Sequence, residues 1–79
     1  MSLDTMNERT RIEKDIIMFN ENLQKTEKKI QTDREKKILE FASQYYEDSK
    51  YYLKHEDFFT SFGCINYAHG LVDAIFKFP

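Results

Sequence analysis

Asn66, His69, Gly70, Asp73 and Lys77 fall at successive helical spacings, so on a helix they form one polar stripe beside an apolar one. His69 and Asp73 stand four apart, within side-chain reach of each other. A carboxylate beside an imidazole can orient it for proton transfer or for holding a ligand. Tyr45, Asp48 and Tyr52 line one side of the preceding segment in the same way. If the chain folds back about residues 55–56, Ala42 and Tyr45 come opposite Gly70, His69 and Asn66. Tyr45, Asp48, Asn66, His69 and Asp73 are then the candidate binding residues of a polar pocket for a small ligand or nucleotide. The competing reading has the same hydroxyls, imidazole and carboxylates satisfying one another inside the bundle, with Gly70 letting two helices approach closely. It is favoured, because no nucleophile–base pair or metal set accompanies the stripe.

The remaining reactive groups point to no reaction. Cys64 is the single cysteine, lies one position off an apolar stripe, and reads as a small hydrophobe rather than a nucleophile. One cysteine forms no intramolecular disulfide and no metal cage, which suits a reducing compartment. No catalytic residue, metal ligand or cofactor is therefore assigned. Lys25, Lys28, Lys29, Arg34, Lys36 and Lys37 cluster around a turn, but Glu27, Asp33 and Glu35 dilute them and no aromatic interleaves with them. That pattern is a solvated face rather than a stacking platform for nucleic acid. Tyr46 and Tyr51 sit off the main apolar stripe and are the candidate interface residues, since part-exposed tyrosines beside a packed seam suit a protein contact.

Composition sets the frame for these groups. The chain has 79 residues, a formal charge of −2 and 15% aromatic residues without a tryptophan. It fits one small domain, 1–79, with 41% hydrophobic residues, too many for a disordered tail. Only Phe19 among the twelve aromatics precedes position 41. Two glycines and one proline leave too few turn residues for a multi-strand β protein. No apolar run approaches a membrane span and no apolar signal segment opens the chain, so a cytoplasmic protein with no membrane partner is expected.

Three helices are predicted. The first, about 5–31, carries Ile12, Ile16, Phe19, Leu23, Thr26 and Ile30 on a 3.5-residue repeat, with Thr5 and Glu8 at capping-box spacing. Thr32-Asp33-Arg34-Glu35 is a second capping box and starts a helix over about 33–54, with Ile38, Phe41, Ala42, Tyr45, Ser49, Tyr52 and Leu53 as its stripe. His55 is expected to take the helix-ending conformation that glycine fills more easily, and Asp57 to cap the third helix, about 57–76. Phe58, Phe62, Ile65, Ala68, Val72 and Ile75 form its main stripe, widened by Phe59, Leu71 and Phe76. Two short turns force alternating directions: an all-α, three-helix up-down-up antiparallel bundle with a long first helix. Burial of the aromatics is expected to drive folding. On that reading Phe62→Ala costs roughly 3–5 kcal/mol and Gly70→Leu overpacks the helix 2–3 contact at ~1–3 kcal/mol.

Residues 45–75 carry a resemblance. Tyr45-Tyr46-x-Asp48-Ser49, the acidic turn at Glu56-Asp57, and Ile65-x-Tyr67-Ala68-His69-Gly70-Leu71-x-Asp73-Ala74 together resemble the small archaeal proteins grouped as domain of unknown function 357. The resemblance covers the second and third helices, and the first only as a charged helix of suitable length. It implies a three-helix bundle from an archaeal source with no established activity. Family members often read Lys-Gly-Asp where this chain has Lys54-His55-Glu56-Asp57. The hairpin also looks like a tetratricopeptide-type or HEPN-type helix pair. The latter would imply RNA cleavage, but its Arg-x(4–6)-His signature is missing, as no Arg follows Arg34. The leading expectation is a non-enzymatic helical interaction module that self-associates or docks a protein partner; a small-ligand or nucleotide-binding domain is the alternative.

Overall fold

The computed structural model describes residues 2–77, and the side chains of residues 8–75. Thr5, Phe76 and Lys77, invoked above as cap and stripe members, have side chains outside that range. The helices are α1, Ser2–Glu27, α2, Asp33–Lys54, and α3, Phe58–Lys77. Ser49 meets Ser61 and Tyr45 meets Tyr67, so α2 and α3 run antiparallel. Phe19 meets Tyr46, while Arg9 lies beside Phe58 and Asp15 beside His69, so α1 opposes α2 and runs with α3. The direction is up, down, up.

Local chemistry sets the breaks between helices. α1 ends four residues before the expected position, because the Thr26 carbonyl accepts from both Lys29 N (2.9 Å) and Ile30 N (3.1 Å) and closes the last turn. Ile30 still packs against the core from beyond the helix end, so the apolar repeat outlasts the helix that carries most of it. The α2 capping box is formed as expected. Thr32 Oγ1 accepts from Glu35 N (3.1 Å), and Glu35 Oε1 accepts from Gln31 N (2.9 Å) and Thr32 N (3.1 Å). The Gln31 amide first, then the Thr32 amide, hold the exposed Glu35 carboxyl below the usual carboxylate range.

The α2–α3 turn differs from expectation by one residue. His55 stays at φ −91°, and Glu56 takes the left-handed conformation at φ 62°. Glu56 N donates to Leu53 O (3.0 Å) and Asp57 N to Tyr52 O (2.9 Å), the two bonds of a Schellman motif. Asp57 Oδ1 then accepts from Thr60 N (3.2 Å) and caps α3, as the sequence indicates.

The core corrects the aromatic expectation. Its buried members are Ile12, Phe19, Leu23, Leu39, Ala42, Ile65, Ala68, Val72 and Ile75, with Thr26, Ser49 and Ser61 buried among them. Among the described aromatics only Phe19 is fully buried, at 0% exposure, and it comes from α1 rather than from the aromatic-rich hairpin. The inner face of α3 runs Ser61, Ile65, Ala68, Val72, Ile75, and that of α2 Leu39, Ala42, Ser49. Small and aliphatic residues let these two helices close tightly, which leaves no room for rings between them. Phe62, expected inside, is 44% exposed; Phe59 and Phe41 are 91% and 56% exposed. Gly70 also differs: a Cβ there would meet nothing within 4 Å, so Gly70→Leu is not an overpacking change.

Across the α2–α3 hairpin, two serines clasp each other. Ser49 Oγ donates to the Ser61 carbonyl (2.8 Å), and Ser61 Oγ donates to the Ser49 carbonyl (2.7 Å). With both hydroxyl protons committed to carbonyls, the 3.1 Å Oγ–Oγ approach is a consequence of the clasp and not a third bond.

Two stability outcomes follow from these features. Ser49→Ala removes one buried bond and should cost about 1–2 kcal/mol. Urea unfolding should show a lower midpoint at unchanged slope, and an unchanged midpoint would mean the clasp contributes nothing. Glu56→Gly relieves a left-handed non-glycine residue and should raise stability by about 0.5–1 kcal/mol. A lower melting temperature would show that the Glu56 side chain matters more than its backbone strain.

Candidate functional site

The polar residues singled out in the sequence lie on two flanks of α3 rather than around one pocket. His69 faces α1: its Nε2 lies 3.2 Å from the Asp15 carbonyl, and its ring stands edge-on to Phe19 at 5.4 Å and 89°. A carbonyl only accepts, so this contact requires the proton on Nε2, and His69 thereby ties α3 to the α1 backbone. Asn66 and Asp73 are exposed along the same flank. Tyr45 packs instead on Tyr67, with centroids 4.5 Å apart and rings tilted by 45°. Tyr67 and His69 are two residues apart, a rotation of roughly 200° on a helix, so Tyr45 and His69 sit on opposite sides of α3. Asp48, one turn beyond Tyr45 on α2, is exposed on the Tyr45 side. Burial, and then the charges of Asp48 and Asp57, push the Cys64 thiol up, which keeps it protonated and poorly nucleophilic. Among the described residues no group of three or more His, Cys, Asp or Glu side chains could hold a metal ion.

The two candidate interface tyrosines differ in their surroundings. Tyr46 is half-buried in the α1–α2 seam, stacked on Phe19 at 5.1 Å and 30°, with Lys50 Nζ 4.5 Å from its ring centroid. Lys50 also sits 3.0 Å from Glu47, and that hydrogen bond is the main reason its pKa is raised. Tyr51 is exposed, with its ring against Tyr52 at 5.2 Å and His55 at 4.5 Å, over the end of α2.

A feature not singled out as a site in the sequence lies where α3 starts. Phe58, Phe59 and Phe62 line a groove of 290 Å³ together with Glu8, Arg11 and Ile12 of α1. Arg9 lies beside one lining residue, its guanidinium 5.1 Å from the Phe58 ring centroid and 3.9 Å from the Glu56 carboxylate. The signal was present as an apolar arc on α3 too wide for one buried face: Phe58, Phe59 and Phe62 cannot all point inward beside Ser61 and Ile65. At the other end of the bundle an open groove of 610 Å³ runs past Ile30 and Leu39, and its charged lining mixes Lys36 with Glu27 and Glu40. Among the described residues no helix is long and apolar enough to cross a membrane.

The chain belongs to the family described as protein of unknown function DUF357, whose model matches residues 14–78. That span takes in α2, the described part of α3 and most of α1, including Phe19, Ser49, Ser61 and the three groove phenylalanines. It leaves out Glu8, Arg11 and Ile12, the α1 wall of the groove. A comparison with curated proteins returned no match.

Burial separates the rings that hold the fold from those that do not. Phe19→Ala should cost about 3–5 kcal/mol as a fully buried truncation, whereas Phe59→Ala should fall within about 0.5 kcal/mol of the parent. Parallel thermal and urea melts of the two variants check this, and equal destabilisation would contradict the division.

Proposed function

We propose that this protein is a non-enzymatic helical interaction module acting in the cytoplasm of an archaeon, with its docking surface at the groove where α3 begins. The observation that carries the reading is Phe59, a large apolar ring 91% exposed beside the half-exposed Phe62, in a chain that could have placed a polar residue there at no cost to folding. A ring presented beside a concave apolar groove has the anatomy of an interface anchor. Tyr51 adds exposed aromatic surface near the same turn. The polar-cluster reading, with a small ligand or nucleotide between α2 and α3, has less support, because Tyr45 and His69 lie on opposite flanks of α3. Catalysis has no support from Cys64, whose thiol is held protonated.

The test is site-specific photo-crosslinking in living cells. A photoreactive phenylalanine analogue at position 59 should yield discrete polypeptide adducts, whether with this chain or another. The same analogue at the exposed position Gln24 should not. Equal labelling at both positions, or no polypeptide adduct at position 59, would overturn the reading.

A further inference from the structure

We infer that the partner seated on the aromatic groove is a second copy of this chain, related by a twofold axis. The inference rests on the interaction-module reading above and names its occupant. Two observations carry it. The patch holds a projection and a recess together: Phe59 stands almost wholly in solvent and forms the projecting edge of the 290 Å³ groove, whose other apolar walls are Phe58, Phe62 and Ile12. A twofold interface needs that combination, because one patch must act as both donor and acceptor. Phe59 of each copy enters the groove of the other.

The rim supplies the second observation. Glu8 and Arg11 border the groove from α1, are both exposed, and have no ion-pair partner among the described residues. They stand three apart on the helix with opposite charges, so the rim is neutral overall yet complementary to itself. A twofold operation sets Glu8 of one copy against Arg11 of the other, twice. A rim selected for a strongly acidic or basic partner would carry one sign. Arg9 is already engaged with Glu56 and Phe58 and does not line the recess.

Sedimentation equilibrium on the full chain should show a concentration-dependent monomer–dimer equilibrium. Phe59→Glu, at a site too exposed to affect folding, should give monomer with unchanged helical circular dichroism. Glu8→Arg alone or Arg11→Glu alone should weaken the dimer by about tenfold, and the double variant Glu8→Arg/Arg11→Glu should recover it. A chain that stays monomeric at millimolar concentration overturns the inference, as does a dimer indifferent to Phe59→Glu or a double swap that fails to recover association. A monomer that still crosslinks another polypeptide through position 59 removes the second copy as occupant and leaves the interaction module standing. A monomer without such adducts removes both.

Discussion

The reciprocal bond between Ser49 and Ser61 is the constraint on which the rest of the molecule depends. Each hydroxyl reaches the other helix's carbonyl at 2.7–2.8 Å, which is feasible only if the α2 and α3 backbones lie very close together. That closeness restricts the seam to Ser, Ala and slender aliphatic side chains, and Ala42 and Ala68 are both fully buried along it. Phenylalanine and tyrosine are excluded from the seam by size, so the hairpin's many rings are turned to its flanks. The wedge on one side of the hairpin is filled by Phe19, with the His69 and Tyr46 rings packed against it. α1 is therefore not a passive cover. It contributes the core's one buried aromatic among the described residues, and His69 anchors the Asp15 backbone in return.

Much of this organisation is legible in the residues, and its failures have physical causes. Thr32 with Glu35 and Asp57 with Thr60 are local caps whose partners lie within four residues, so short-range pattern suffices to place them. The α1 repeat of Ile12, Phe19, Leu23 and Thr26 is narrow and maps directly onto buried positions. The α3 pattern is broad, and a broad arc does not state which part of it faces inward. Hydrophobicity favours Phe62 as a core residue, but the position of the seam is decided by Ser61, a polar residue whose role depends on a partner twelve positions away. The polar cluster failed to converge for the same reason. Moving the seam by one residue carries His69 toward α1 and leaves Tyr45 with Tyr67 on the far flank. The groove at Phe58, Phe59 and Phe62 follows from that rotation too, because the rings displaced from the interior gather where α3 meets α1.

The turn between α2 and α3 shows a different balance. A left-handed residue is required to return the chain within a few positions, and Glu56 fills the role without being a glycine. Its carboxylate lies 3.9 Å from Arg9, a long and solvent-exposed pairing that offsets little of the backbone cost. Arg9 in turn lies over Phe58, so the strained turn, the first helix and the start of α3 meet at one corner.

The division between a ring-free seam and ring-bearing flanks also bears on how such a protein can diverge. Residues that set the helix register are small and mutually committed, so few alternatives are tolerated there. The exposed ring of Phe59 contributes little to folding, and the α1 wall of the groove lies outside the span that the family model matches. Lineages could therefore exchange the exposed rim residues Glu8 and Arg11, and with them the groove's binding preference, while the hairpin beneath stayed the same.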